Sequence, residues 1–456
     1  MRSPLPPLLP CLPGRGLLRR AAVAAGRGAL GLLLGILMST PVHANPFSIA
    51  HYNGLSGGPF DQSPFALYWN PSQLSAPGAR LALHGLLVNR RASYDRAPTD
   101  PDAPPEVIAA NSGVNYSGAT GVVPGAAFAY GGEASGLRWG TGFGTYIARA
   151  GIANWERPRD YPGQFPGAID GPQRWNALNT SMLIITHSAG FSLGTDRFSV
   201  GAALRYNQVT LSTTRASNPS NPEALVDVEG RIAEGRLLLK DAEGEALLWT
   251  VGLTGEVSDA LALALSWRQG TSYTLQGRAF LTIGTADETN FGAEFPLQVA
   301  DIVCFGAAWK LSDTLRLRPE VEWAGWSVMD EQVAVNTDDP RRPELLRFER
   351  NFSDTWALRL RSDHTLSETF TLHGGLAFET GATPEETFEP GLAESDQVIA
   401  GAGFSWRVSE HLMLRSSFQW QYFRPMEITE SIQKPQARGS YTDQRQYLNL
   451  DLEFFL

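Results

Sequence analysis

Residue types capable of catalysis or metal binding are scattered along this sequence and do not cluster at productive spacings. His187 and Ser188 are adjacent in a segment of alternating apolar and polar residues. Neighbouring side chains on a strand point to opposite faces, so these two cannot act together as base and nucleophile. Glu410 and His411 share a short turn with no further ligand at metal-binding spacing. The sequence therefore predicts a protein that is not an enzyme and needs no cofactor or metal ion.

Four arginines have a spacing that suits anion binding. Arg316 and Arg318 share one face of an alternating segment. Arg359 and Arg361 share one face of a second such segment. A guanidinium group can hold a carboxylate through two parallel hydrogen bonds. Two interpretations follow: polar contacts to an anionic ligand, or ion pairs with acids on the adjacent strand, such as Glu320.

The elements that would position these residues are β-strands, because apolar and polar residues alternate with a period of two. The alternating segments are residues 198–207, 261–268, 315–323, 352–361, 369–379, 397–408 and 412–422. Aromatic residues stand near many strand ends, as in the interfacial girdles of membrane barrels. These are Trp249, Trp267, Trp309, Trp326, Trp406, Trp420, Tyr422 and Phe423.

Short and long connections take turns along the chain. Short turns are expected near residues 131–136, 194–197, 257–259, 312–314, 367–368 and 409–411. Longer polar or proline-rich stretches are expected near residues 93–115, 150–175, 213–245, 283–293, 330–345, 381–395 and 428–440. This alternation is typical of outer-membrane barrels. It predicts an all-β fold, a transmembrane antiparallel β-barrel of about 14 strands.

Composition and charge are consistent with such a barrel. The chain has 37 Lys and Arg against 47 Asp and Glu, an acidic balance that argues against a nucleic-acid-binding protein. Its mean hydropathy of −0.16 excludes a bundle of transmembrane helices, whereas a barrel averages apolar and polar faces. Of the two cysteines, Cys11 lies in the N-terminal segment, so Cys304 has no partner for an internal disulfide.

The N-terminal 44 residues have the form of an export signal. A basic stretch precedes a short apolar core at residues 29–38, and Val42-His43-Ala44 resembles a cleavage site. We expect residues 1–44 to be a cleaved signal peptide. The alternative is an uncleaved anchor, although the core is short for a spanning helix.

Residues 45–78 precede the first alternating run and contain many glycines and prolines. Such a segment cannot form regular sheet. It either hangs below the barrel or folds into the lumen, and the lumen of a 14-stranded barrel is too wide to be filled by wall side chains alone. We therefore expect an N-terminal hatch (plug) at residues 45–78 and the barrel at residues 79–456.

Residues 54–58 (GLSGG) and 68–72 (YWNPS) resemble the N-terminal hatch of the FadL/TodX family of outer-membrane transporters. That hatch carries Asn-Pro-Ala, where this chain has Asn70-Pro71-Ser72. Further similar stretches are residues 196–206, 259–277, 313–326 and 353–379.

This resemblance assigns Gly54, Gly57, Asn70 and Pro71 to the hatch. It implies passive uptake of long-chain fatty acids or aromatic hydrocarbons across the bacterial outer membrane. It also implies a hatch that shifts and lateral exit of the ligand through the wall at a kinked third strand.

The third strand itself carries Gly140, Gly142 and Gly144 on one face. Glycine inside a strand marks a bulge, a bend or close approach of another group. A lateral opening or a hatch contact would need such a face. The other interpretation is that small residues make room for bulky neighbours.

The longest outer loop, residues 213–245, holds an apolar cluster among charges. The cluster comprises Leu225, Val226, Ile232, Leu237 and Leu238. An exposed apolar cluster marks a binding surface, so an outer groove for ligand capture is one interpretation. Packing of loop against loop is the other.

The expected partners follow from the barrel prediction. They are a hydrophobic small molecule, outer-membrane lipid with lipopolysaccharide, and the barrel-assembly machinery, which would receive the amphipathic terminal strand 448–456. No nucleic acid is expected, and the protein is expected to be monomeric in the outer membrane of a Gram-negative bacterium. The alternatives are a porin for polar solutes and an outer-membrane lipid-modifying enzyme.

Overall fold

A computed structural model describes residues 51–156, 170–218, 223, 234–283, 287–341 and 343–456. The predicted signal peptide, residues 1–44, lies outside them. No helix in these ranges is long and apolar enough to cross a membrane.

The described residues form one closed antiparallel β-barrel. The strand segments are β1 (Gly78–Arg96), β2 (Gly113–Ala134), β3 (Leu137–Asn154), β4 (Asn179–Gly194), β5 (Phe198–Ser217), β6 (Gly235–Ser258), β7 (Leu261–Arg268), β8 (Thr271–Ile283), β9 (Thr289–Val299), β10 (Ile302–Lys310), β11 (Leu315–Ala324), β12 (Glu331–Asn336), β13 (Glu344–Glu349), β14 (Thr355–Thr365), β15 (Phe370–Glu379), β16 (Gln397–Ser409), β17 (Leu412–Phe423), β18 (Met426–Ile428) and β19 (Gly439–Phe455). Short breaks divide five strands (β7/β8, β9/β10, β11/β12, β13/β14 and β17/β18), so the described segments make fourteen strands. The ring closes because β1 pairs with both β2 and β19. The predicted fold class and strand number are confirmed.

The alternation of side chains sorts the wall into two faces. On β5, Phe198 and Val200 point outward and are exposed, whereas Gly201 and Ala203 point inward and are buried. Most of the predicted girdle aromatics are on the outer face. Trp326 and Phe423 are exceptions: Trp326 follows the break after β11, Phe423 ends β17, and both side chains are buried in the lumen.

The barrel has a short-turn end and a long-loop end. All six predicted short turns lie at the first end. At the second end the strands run further than predicted, because β5 and β6 continue their pairing as far as Ser217 and Gly235. Leu237 and Leu238 are therefore strand residues of β6, and their assignment to an outer loop was wrong. Leu237 packs on an apolar cluster that includes the buried Leu211 and Phe295.

Residues 51–77 fill the lumen and are called the hatch below. They contain 3-10 turns at Gly54–Ser56 and Pro71–Ser75 and a short helix, α1, at Ala66–Trp69. A second helix, α2 (Pro105–Asn111), lies between β1 and β2. Other 3-10 turns are Pro172–Trp175, Trp326–Val328 and Glu385–Thr387.

Candidate functional site

An aromatic cluster seats the hatch against the inner wall. Tyr52 and Phe65 are fully buried and stack with ring centroids 4.8 Å apart. Tyr52 also meets Tyr146 of β3 and His84 of β1 edge-on, at 5.1 and 4.8 Å. Burial raises the pKa of Tyr52 well above its usual range, with Tyr146 and Tyr68 adding to the effect. The Tyr52 hydroxyl therefore keeps its proton.

The predicted hatch motif binds the wall through the Asn70 side chain. Its amide nitrogen donates to Pro59 O within the hatch at 3.0 Å and to Thr254 Oγ1 of β6 at 3.1 Å. Its amide oxygen accepts from the backbone N–H of Ser72 and caps the following turn. Asn70 thus stabilises the fold of the hatch and also fixes the hatch to β6.

Glycines in the wall let the hatch backbone approach closely. A Cβ on Gly201 would lie 2.3 Å from the backbone carbonyl carbon of Pro71. A Cβ on Gly252 would lie 1.8 Å from the Asn70 amide oxygen. Both distances are far below van der Waals contact, so these wall positions require glycine while the hatch is in place.

The glycine face of β3 packs against the same segment. A Cβ on Gly140 would lie 2.3 Å from Leu74 O, and one on Gly142 would lie 3.1 Å from the Leu74 side chain. A Cβ on Gly144 would lie 3.3 Å from the side chain of Leu67. Of the two functions considered for this face, these glycines make the hatch contact.

Two predicted lumen arginines hold the first turn of the hatch. Arg318 donates to Leu55 O at 2.6 Å, to Ser56 O at 3.0 Å and to Gly57 O at 2.9 Å. Arg361 donates to the same Gly57 carbonyl at 2.6 Å. Gly57 has no room for a side chain, because a Cβ would lie 2.3 Å from the hatch carbonyl Tyr52 O.

Gly54 adopts φ 51°, and a Cβ there would lie 2.0 Å from Ser417 Oγ of the wall. Left-handed backbone without space for a side chain is the setting in which glycine is needed. Gly54 is therefore required for the first turn to pack against Ser417 of β17.

The other lumen arginines have different surroundings. Arg359 is paired with Glu379 at 2.6 Å and with Glu322 at 3.2 Å. Arg361 also pairs with Glu320, at 2.8 Å. Arg316 is exposed at a polar cavity of about 510 Å³ below the hatch. Three of the four predicted arginines thus bind acids or hatch carbonyls, which accounts for their charge without a ligand.

The wall is interrupted between β2 and β3. Their pairing runs from Ala134↔Leu137 to Gly125↔Tyr146 and then stops. It resumes at a single bridge, Ser117↔Trp155. Residues 118–124 of β2 and 147–154 of β3 therefore face each other without β-sheet pairing. These residues are called the wall gap below.

Two local features end the ladder. The next pair in register would be Pro124↔Ile147, and proline has no N–H to donate. In addition, β3 has a bulge between Ile147 and Arg149, where its register with β4 shifts. Bulges bend a strand and disrupt pairing. On its other side β2 stays paired with β1, through Gly85↔Pro124.

A mainly apolar cavity of about 190 Å³ occupies the wall gap. Its apolar lining includes Val88, Val123, Ile147, Leu183 and Leu392. Val122 and Ile152 line it too and are exposed on the outer face of the barrel. The charged groups Arg90, Glu394 and Arg445 lie on its lumen side. The cavity thus extends from the lumen to the outer surface of the wall.

A second cavity, of about 60 Å³, lies in the lumen beside it. Met182, Leu211 and Phe348 contribute apolar lining. Gly151 of β3, Gly391 and Leu392 line both cavities, so these three residues stand between the lumen and the wall gap.

Gly391 and Leu392 belong to the segment 380–396, which folds into the lumen between β15 and β16. Two buried ion pairs hold it there: Glu389 to Arg350 at 3.2 Å and Glu394 to Arg445 at 3.0 Å. Because each partner sits on a barrel strand or at its end, the segment is fixed to the wall at two points.

The predicted capture groove cannot be assembled from the described residues. Leu225, Val226 and Ile232 lie outside them. Leu237 and Leu238 lie on β6, as stated above.

Comparison with known proteins identifies the family. Residues 174–451 match the model of the family described as outer membrane protein transport protein (OMPP1/FadL/TodX). The chain belongs to this family. It is therefore an outer-membrane transport protein for hydrophobic compounds and not an enzyme, as the sequence predicted. No curated protein matches the sequence.

Solved structures share the fold across most of the chain. A Pseudomonas aeruginosa FadL homologue has a TM-score of 0.72 at 14% identity, with 91% of this chain and 100% of that chain covered. The Pseudomonas putida toluene transporter TodX gives 0.65 at 14% identity, with 91% and 99% covered. The Ralstonia pickettii toluene transporter TbuX gives 0.62 at 14% identity, with 91% and 98% covered. At these identities the similarity establishes the fold.

Sequence reasoning missed the residues that define the wall gap. Pro124 in the middle of a strand was an available signal, since proline inside a sheet marks an edge or a bulge. The segment 380–396 gave no comparable signal, because its ion pairs join residues far apart in the sequence.

Proposed function

We propose that this protein passes hydrophobic compounds from the lumen sideways through the wall gap into the outer membrane. The observation that carries the proposal is the apolar cavity that replaces the ladder between β2 and β3. Elsewhere in a barrel wall the backbone hydrogen bonds form a continuous barrier. An apolar molecule can leave through such an interruption without entering water.

The cavity's outer end supports exit into lipid. Val122 and Leu87 are opposite each other on β2 and β1, and both are exposed apolar residues on the outer face. The next outward pair, Asn89 and Thr120, joins through a hydrogen bond of 3.0 Å. We place the exit at the upper edge of the apolar band, beside the outer leaflet with its lipopolysaccharide.

The hatch supports a route that avoids the periplasm. It closes the lumen with a buried aromatic cluster and two arginines, and the cavity below it is polar. An apolar molecule is less favoured in a polar, water-filled cavity than in the wall gap. Long-chain fatty acids and aromatic hydrocarbons are the two proposed cargo classes.

The remaining expectations complete the proposal. Residues 1–44 direct export and are removed, and the barrel-assembly machinery inserts the barrel by way of its terminal strand. The protein works as a monomer, since one chain closes its own barrel. The connection between β5 and β6 contributes to capture.

The test is a plug placed in the wall gap. Ala119 of β2 lines the gap cavity, whereas Ala126 on the same strand is exposed on the outer face. Ala119→Trp fills the gap, and Ala126→Trp adds the same bulk toward lipid. Uptake of labelled oleate and labelled toluene is measured in a host that lacks its own transporter.

The proposal expects Ala119→Trp to reduce uptake at least ten-fold, while Ala126→Trp stays within two-fold of the unchanged protein. Equal uptake by both variants, at equal amounts of folded barrel, would rule out exit through the gap. The cargo class that the unchanged protein takes up faster identifies its substrate.

A further inference from the structure

The edge of β3 at the wall gap has lost a hydrogen-bond donor. In the continued register, Ile147 faces Pro124, which cannot donate to the Ile147 carbonyl. A buried carbonyl without a donor is costly. Some other group must therefore satisfy this oxygen if β3 is to keep its course beside the gap.

The hatch supplies that donor. The Tyr52 hydroxyl donates to Ile147 O at 2.5 Å. The Tyr52 ring is fully buried between Phe65 of the hatch and Tyr146 of β3. The Tyr52 carbonyl accepts from Trp69 Nε1 at 3.2 Å, which ties the residue to α1 of the hatch.

We infer that Tyr52 is a positioning residue that couples the hatch to the wall gap, by giving the edge of β3 the hydrogen bond that Pro124 cannot give. The inference rests on the proposed function for the role of the gap in transport. The contact itself joins the hatch directly to the bulged part of β3.

The coupling has a mechanical consequence. When the hatch leaves its position, the hydroxyl leaves with it and the Ile147 carbonyl is unsatisfied. The residues of β3 beside the gap then lose a restraint at the bulge, while their pairing with β4 keeps the barrel closed. A shift of the hatch therefore loosens the edge across which the cargo leaves.

A second hydrogen bond on this edge of β3 does not depend on the hatch. Arg90 of β1 donates to Ile152 O at 2.8 Å. Because Arg90 belongs to the wall, this bond stays when the hatch moves. Loosening is thus expected near Ile147 and less near Ile152.

The test removes only the hydroxyl. Tyr52→Phe keeps the ring contacts, and Tyr68→Phe is the matched control, because Tyr68 belongs to the same cluster without bonding to the gap. Hydrogen–deuterium exchange is measured for residues 147–154 of the full barrel in lipid nanodiscs. Residues 137–146 of the same strand serve as the internal reference.

Tyr52→Phe should raise exchange in residues 147–154 about five-fold, the factor that corresponds to about 1 kcal/mol for one hydrogen bond. Exchange in residues 137–146 and the melting temperature of the barrel should stay unchanged. Tyr68→Phe should match the unchanged protein at both places. Unaltered exchange in Tyr52→Phe would overturn the inference.

Coupling is then measured with a second perturbation of the hatch. Arg318→Met weakens its attachment at the opposite side and should raise exchange in residues 147–154 when Tyr52 is present. In the Tyr52→Phe background it should add little, because the link is already cut. Strictly additive effects would also overturn the inference. If exchange behaves as expected while Ala119→Trp leaves uptake intact, the coupling stands and the proposed function fails.

Discussion

Loss of Arg318 should release the hatch while leaving the barrel closed. This guanidinium gives three hydrogen bonds to the carbonyls of the first hatch turn, at Leu55, Ser56 and Gly57, and an ion pair to Asp363 at 3.0 Å. Arg318→Met removes all four interactions. The barrel ladders do not involve this side chain.

The size of the effect follows from the hydrogen bonds that join Arg318 to the hatch. The ion pair with Asp363 joins two wall strands, so its loss does not bear on the position of the hatch, whereas the three hydrogen bonds to hatch carbonyls contribute about 1 kcal/mol each. His373 lies 2.8 Å from Asp363, so this wall carboxylate keeps a partner when Arg318 is replaced. A loss of about 3 kcal/mol raises the population of displaced hatch roughly 100-fold.

Ion conductance in planar lipid bilayers reports that population. The unchanged protein should be nearly silent, since the hatch fills the lumen. Arg318→Met should show frequent openings through the wide lumen. Arg316→Met is the control, because Arg316 lies two residues along the same face and is exposed below the hatch. Equal conductance of the two variants would refute the assignment of Arg318 as an attachment point of the hatch.

Three further predictions concern the fit of the hatch, the route and pH. Gly201→Ala should displace the hatch and raise conductance, because its Cβ would lie within 2.5 Å of three hatch backbone atoms. Gly118→Ala should leave conductance unchanged, since a Cβ at that position would have no neighbouring atom within 4 Å. Leu392→Ala should widen the path between the two cavities and raise uptake two- to five-fold, while Leu376→Ala, exposed on the outer face, should not change it. Burial, with repulsion from nearby cationic groups, lowers the pKa of His51 from 6.5 to about 3. The unfolded chain therefore binds a proton at this histidine more readily than the folded protein does, and the melting temperature should fall as the pH drops below about 6.5. The fall should be smaller in His51→Gln.

Much of the barrel could be predicted because its rules are local. Alternation with a period of two identifies a strand wherever one face meets lipid and the other meets the lumen, and short polar turns mark one end. Trp326, Phe423 and the pair Leu237 and Leu238 were predicted wrongly, and all of them lie at the long-loop end. There the strands extend past the apolar band, so Leu237 and Leu238 belong to β6, and the side chains of Trp326, Phe423 and Leu237 pack in the lumen instead of facing lipid.

The site was predictable only in part. Three glycines on β3 and the Asn70-Pro71 pair gave local signals for close packing, and both lie at contacts between the hatch and the wall. The wall gap depends on the register between two strands, on Pro124 in one and a bulge in the other, and single-strand patterns carry no register. Ion pairs such as Glu389 to Arg350 likewise depend on which strands become neighbours.

The most direct test of lateral exit is to map where a hydrophobic molecule sits on its way out. A fatty acid with a diazirine at its tail is added to outer membranes containing the protein, activated by light, and located on the chain by mass spectrometry. Lateral exit predicts labels on residues 119–123 and 147–152, which line the wall gap. Labels concentrated on residues 254–262 and 308–316, which line the polar cavity below the hatch, would contradict it.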